Sequence, residues 1–291
     1  MKPYIFIAFL LALAFPYTAS AAFPAVDVTL SSTKLQQADT LLVVVKNEPA
    51  AISGRVGFVP MRFFRDTSGK DWIAMVGMPH NKFPGTYKVS ITFPGRAVFQ
   101  KNITVAKRKY PITKLTITPE LAQKGYTAKK IVQTVENEEN VSINKVMRII
   151  QPASFITKPF IYPLSETVIT GNYGSIRAAK NYQIQHLGVD LKAAVGTPVH
   201  AVNDGNVVFV RSLPDYGNTV IVDHGLGVYS LYLHLNSFNV EEAQYVKQWQ
   251  VIGFSGQTGY AIGPHLHFSI KLRGSSVDPL KFIEASRALA W

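Results

Sequence analysis

The stretch Gly263-Pro264-His265-Leu266-His267-Phe268 decides how this chain is read, together with His186-Leu187-Gly188-Val189-Asp190 upstream of it. Two residues apart on an extended strand, His265 and His267 project from one face with Cα atoms about 6.6 Å apart. Both can bind one ion, or one can bind it while the other stands over a bound water; spacing alone leaves both arrangements open. His186 and Asp190 would lie about 13 Å apart on a straight strand, too far to share an ion. They can share one only if the backbone bends, and Gly188 supplies that freedom. Imidazoles with one carboxylate and no thiol make a donor set suited to zinc.

Six of the seven histidines fall between His186 and His267, which concentrates the chemistry in the C-terminal half. Among them is His234, in Leu231-Tyr232-Leu233-His234-Leu235, where strand alternation puts Tyr232 and His234 on one face. There is no His-Glu-x-x-His helix, so the glutamate base of that protease class is missing. A histidine, with its pKa near neutrality, is then the natural proton acceptor.

The fold class expected around these motifs is mainly β. From Val168 onward, short β-branched runs alternate with glycine turns, as in Gly205-Asn206-Val207-Val208-Phe209-Val210, which predicts an antiparallel C-terminal domain over 164–291. Residues 22–106 carry apolar runs such as Thr40–Val45 and Tyr87–Ile91, with Pro84-Gly85 and Pro94-Gly95 between them. These predict an N-terminal β-sandwich. Between the two lies a connector over 107–163, opened by Lys107-Arg108-Lys109-Tyr110-Pro111. Thr118-Pro119-Glu120 combines a capping hydroxyl, Pro in the first turn and an acid at the positive end of the dipole, so one or two helices are expected there.

Composition sets the compartment and the partners. The 291 residues contain no cysteine, which excludes structural disulfides. Met1-Lys2-Pro3, the apolar run Tyr4–Phe15 and Ala19-Ser20-Ala21 read as a cleaved export signal over residues 1–21. Twelve apolar residues fall short of the ~20 that span a bilayer, so no stable membrane insertion is expected after cleavage. The chain is then exported, periplasmic or extracellular, and associated with the cell wall. Residues 1–150 hold 20 Lys+Arg against 9 Asp+Glu, whereas residues 151–291 hold 10 against 9. A basic N-terminal half suits a polyanionic partner, and for an exported protein that is cell-wall polymer or an anionic membrane surface rather than nucleic acid.

From Gly171 to Ile283 the chain resembles the LytM or lysostaphin-type domain of the M23 family of zinc endopeptidases. The resemblance is carried by His186-Leu-Gly-Val-Asp190, Gly196-Thr-Pro-Val199, Asp204-Gly205, Asp223-His224-Gly225 and Tyr232-Leu-His234-Leu235. Gly256-Gln-Thr-Gly259, Gly263 through Phe268 and Val277-Asp278-Pro279 complete it. It implies that His186, Asp190 and His267 bind one Zn²⁺ per catalytic domain, leaving a fourth position for water. It implies that His234 and His265 flank that water as general base and transition-state stabiliser, and that the substrate is a peptide bond in peptidoglycan stems or cross-links. Ala243 and Trp249 stand where the family usually has turn glycines, and Ser269 where it commonly has glutamate. The N-terminal domain resembles, more loosely, the immunoglobulin-like domain that precedes some M23 domains.

A non-catalytic wall-binding or amidase-activating protein on the same scaffold is the alternative; relatives of that kind lack ligands, and here all are present. An inhibitory contact of residues 22–160 with the catalytic groove is a further expectation, from the length of chain ahead of the domain. Of the remaining candidates, His200 reads as a strand wall residue, His224 as a turn hydrogen-bonder and His80 as an exposed loop residue. Tyr182 reads as packing, with oxyanion donation the minority reading.

Overall fold

The structure, a computed structural model, describes residues 26–151 and 153–287. The export signal read over residues 1–21 lies outside them. The N-terminal domain is a sandwich of two sheets. One has four strands, in the order 27–30, 40–46, 72–77, 63–65, and the other five, in the order 34–36, 99–106, 85–92, 53–56, 59–61. Leu41, Val43, Val45, Ala74 and Val76 face Val56, Val89, Ile91, Ile103 and Val105 between the sheets. The unbroken run Leu41–Val45 has a second cause. Its alternate residue Leu42, with Ile73, Met75 and Phe64, points the other way into the core of the C-terminal domain. A strand apolar on both faces is buried on both. The sandwich is thus seated on its neighbour, and Arg108–Asp278 (2.6 Å) and Lys281–Asp39 (2.8 Å) pin the join.

Among its described residues the connector holds two helical runs, the second of them continuous through a π turn. Helix α1 (Pro119–Gln123) is capped by Thr118, whose hydroxyl accepts from Leu121 N at 3.3 Å. Helix α2 (Ala128–Thr134) is capped by Thr127 and runs through one π turn, Val135–Glu139, into α3 (Asn140–Met147). Ile143 and Met147 of α3 pack on Phe209, Ile221, Leu231 and Leu233 of the C-terminal sheet. Upstream, strand Ile112–Lys114 pairs in parallel with Ile176–Ala179.

The C-terminal domain is built on a ten-stranded sheet. Its main path runs β1 (Ile169–Gly171), β2 (Val189–Lys192), β8 (His265–Leu272), β6 (Val228–Phe238), β5 (Gly217–Asp223) and β4 (Gly205–Leu213). A short pair, β3 (Pro198–His200) and β7 (Val251–Ser255), joins at β6. Helix α4 (Pro279–Arg287) ends the described residues, with Asp278 Oδ1 accepting from Leu280 N at 3.2 Å. One sheet face, with Leu266, Phe268, Ile270 and Tyr232, forms the core. The other carries the histidines. Ala243 (φ 69°) and Trp249 (φ 70°) adopt the left-handed backbone, so the turns keep a glycine conformation without glycine.

Candidate metal centre

Strand pairing assembles the centre. In the antiparallel β2–β8 ladder Asp190 lies opposite His267, and directly opposed residues share a face. His186 sits in the bend between strand Tyr182–Gln185 and β2, where its ring turns back toward Asp190. His186 Nε2 and Asp190 Oδ1 are 2.9 Å apart, His186 Nε2 and His267 Nδ1 2.9 Å, and His267 Nδ1 and Asp190 Oδ1 3.1 Å. Gly188 serves here by closeness of approach. A Cβ on it would come within 2.4 Å of His267 Nε2 and 2.3 Å of Ser269 Oγ, and its φ lies outside the left-handed region.

The geometry separates the two histidines that spacing could not. His267 belongs to the convergent trio. His265, two residues earlier on the same face, holds its Nε2 3.5 Å from Asp190 Oδ1, and its ring centroid is 4.9 Å from that of His234. His234 reaches this face by an irregularity. The β5–β6 register slips between Asn218↔Leu235 and Val220↔Tyr232, so β6 carries one extra residue there. His234 takes φ 61° and its N–H bonds Tyr216 O at 3.0 Å. A bulge of this kind re-aims a side chain. It corrects the expectation that Tyr232 and His234 share a face, because Tyr232 points into the core and bonds Val202 N and Ser230 Oγ.

Hydrogen bonds fix which nitrogen of each ring faces the centre. His186 Nδ1 is 2.9 Å from Asn172 O, His234 Nδ1 2.9 Å from Thr258 O and His265 Nδ1 2.8 Å from Gly263 O. A carbonyl only accepts, so each Nδ1 carries the proton. Ser269 Oγ donates to Leu187 O at 2.9 Å and so accepts from His267 Nε2 at 3.0 Å. The inward atoms of the trio are therefore two imidazole lone pairs and a carboxylate oxygen, three acceptors within 4.8 Å of one another. Three acceptors with no proton to share repel unless a cation lies between them. The donor set fits zinc.

Charge is arranged to match. Burial works to raise the Asp190 carboxyl, but the His186 and His267 rings converging on it outweigh burial and hold it well below the usual carboxylate range. Desolvation lowers His267 to about 4 and, with His265 and His267 nearby, lowers His234 well below its ordinary value. Arg177 Nη2 contacts Asp190 Oδ2 at 2.6 Å, leaving Oδ1 to face the trio. Partners of this kind orient ligands, and losing one costs about 10–100-fold in metal affinity. Arg177→Met is expected to weaken zinc binding by about that factor with the fold retained, as measured by competition with a chromophoric chelator. Unchanged affinity would show that Arg177 does not hold Asp190.

Two cavities meet at the centre, and Arg177, His186 and Tyr260 line both. One, of about 620 Å³, is walled by Thr113, Asn172, Pro264 and His265. The other, of about 270 Å³, runs beneath the connector between Ile131, Asn140 and Ile143 on one side and Leu231, Leu233 and Lys271 on the other. His80 also lines it, half-buried rather than an exposed loop residue, because the sandwich loop is carried onto the C-terminal domain. His200 stacks on Trp249 with centroids 4.0 Å apart, and His224 is fully buried against Asp204 O and Ser230 Oγ. Tyr182 lines neither cavity. Tyr260, bonded through its hydroxyl to Thr116 O at 2.7 Å, was not singled out by the sequence.

Comparison with known proteins agrees with this arrangement. Residues 184–279 match Peptidase family M23. Over 96 residues the chain is 43% identical to a peptidoglycan DD-endopeptidase, ShyA, of Vibrio cholerae, a match covering 33% of this chain and 22% of that one. Over 108 residues it is 40% identical to the glycyl-glycine endopeptidase ALE-1 of Staphylococcus capitis, covering 35% and 30%. A Pseudomonas aeruginosa crystal structure assigned to peptidase M23 superposes with TM-score 0.58 at 25% identity, over 84% of this chain and 93% of that one. Residues 184–279 thus carry a peptidase M23 domain. The match spans less than a third of the length of these curated relatives. Among the described residues no helix is long and apolar enough to cross a membrane.

Proposed function

We propose that this protein is a zinc-dependent endopeptidase that hydrolyses peptide bonds in peptidoglycan stems or cross-links, working at the cell wall after export. The observation that carries the reading is the convergence of His186 Nε2, Asp190 Oδ1 and His267 Nδ1, with the His234 and His265 rings beside them. Those three residues would hold zinc, which when bound acts as a Lewis acid on a carbonyl and lowers the pKa of water to about 7. The remaining roles belong to the side chains. His234 has its Nδ1 proton committed to Thr258 O and is kept neutral by desolvation, so its Nε2 is free to accept a proton. His265 is held by Gly263 O and turns Nε2 toward the same space, where in its protonated form it donates to the oxygen that gains charge. Arg177 anchors Asp190 from behind.

A non-catalytic wall-binding role would leave the proton acceptor without purpose, and both flanking histidines are in place. The relatives cut different bonds by name, so the reading stops at the peptide bonds of peptidoglycan. It is tested by digesting purified walls with the zinc-loaded protein and analysing the muropeptides by mass spectrometry. New peptide ends are expected, and their loss on adding a chelator. An unchanged muropeptide profile would sink the reading. The connector, which forms one wall of the smaller cavity, is in this proposal an inhibitory cover for the groove.

A further inference from the structure

The smaller cavity ends away from the trio at Lys271. Strand β8 alternates, so His265, His267, Ser269 and Lys271 line one face. Lys271 stands four residues beyond His267, about 13 Å along the strand. Its opposite numbers across the ladder are Tyr229 and Ser276, both neutral. Glu136 and Asp215 line the same cavity, yet among the described residues no carboxylate pairs with Lys271, and burial holds its ammonium down at about 8. The group that faces it is His80 from the sandwich, itself lowered by burial and by the Lys271 charge. The end of the cavity is therefore a cation beside a neutral ring, with no anion to match.

Lys271 is half-buried; an ammonium partly withdrawn from water without a partner is costly, and the cost falls away when a carboxylate arrives. Charge-assisted hydrogen bonds of that kind are the stronger ones. The position is set by the same strand that carries His267, so the distance to the trio is built into the sheet. An extended peptide advances about 3.3–3.6 Å per residue, and 13 Å corresponds to about four residues.

We infer that Lys271, with His80 beside it, forms a subsite for a free carboxylate of the peptide substrate, roughly four residues' reach from the metal centre. The inference rests on the endopeptidase reading for the identity of its ligand, though binding alone can test it. Arginine at 271 keeps the charge, whereas methionine keeps the length and apolar stem without it.

The experiment uses the full chain, freed of metal by chelator so that nothing is cut. The probes are cross-linked muropeptides with free carboxylates and the same muropeptides converted to carboxamides. Wild type is expected to bind the carboxylate form about tenfold or more tightly than the carboxamide. In Lys271→Met that ratio falls toward one, and in Lys271→Arg most of it returns. A ratio unchanged in Lys271→Met, or binding of neither form by wild type, overturns the subsite. Should Lys271→Met fail to fold, Lys271→Gln replaces it with the same two readings. Hydrolysis by the zinc-loaded protein is measured in parallel. No hydrolysis with the binding ratio intact strikes the endopeptidase reading alone, and hydrolysis with a ratio indifferent to Lys271 strikes the subsite alone.

Discussion

Replacing His267 with alanine is expected to strip the protein of zinc and of activity together, whereas His265→Ala is expected to keep the zinc and lose the activity. The two residues share a strand face and a motif, but only His267 turns a lone pair into the convergent trio. His186→Ala and Asp190→Ala should behave as His267→Ala does, since each removes one of three donors that otherwise face one another at 2.9–3.1 Å. His234→Ala should keep fold and zinc while turnover falls by about 10²–10⁴-fold, the range for removing a positioned proton acceptor. Metal content per chain and rates on soluble cross-linked muropeptides separate the classes. Equal zinc loss in His265→Ala and His267→Ala would mean that both are ligands. Near-normal turnover in His234→Ala would move the base to His265.

The site and the fold were legible in the sequence to different depths. The residues of the trio stand within short motifs, and a β pairing that sets Asp190 opposite His267 is the simplest way to bring those motifs together. The capping hydroxyl of Thr118 announced α1 because helix capping is decided within three residues. What escaped was non-local. Nothing in Tyr232-Leu233-His234 signals an extra residue, since the bulge is a mismatch with β5 rather than a property of β6. Lys271 and His80 lie far apart in the chain and meet only because the sandwich shares its outer face with the core of the C-terminal domain. Glu139, which no local motif marks, is 1% exposed.

That buried glutamate ties the connector to the backbone of the candidate centre. Glu139 Oε1 accepts from Asp215 N at 2.6 Å and from Tyr216 N at 3.3 Å, and Tyr216 O holds the backbone of His234. Ile143 and Met147 add the apolar half of the contact. If docking covers the groove, weakening it should speed the enzyme. Ile143 is 2% exposed, and even an uncharged polar group forced into such a place without a partner costs about 1–3 kcal/mol by mutational measure, a carboxylate more. Since about 1.4 kcal/mol is tenfold, Ile143→Asp is expected to raise the rate on soluble cross-linked muropeptides by about tenfold or more. Wall affinity plays no part with that substrate. The contact also carries its own pH dependence. Burial, then Glu139, raises Asp215 from 3.8 to about 7, and burial raises Glu139 as well. The docked state therefore holds more protons than the released one between those values, so docking is strongest at acid pH and weakens as pH rises toward about 7. Amide protection of α3 in the metal-free protein should follow that direction once intrinsic exchange is corrected, and Asp215→Asn should flatten it. A folded Ile143→Asp protein no faster than wild type would show that the connector braces the domain without restraining it.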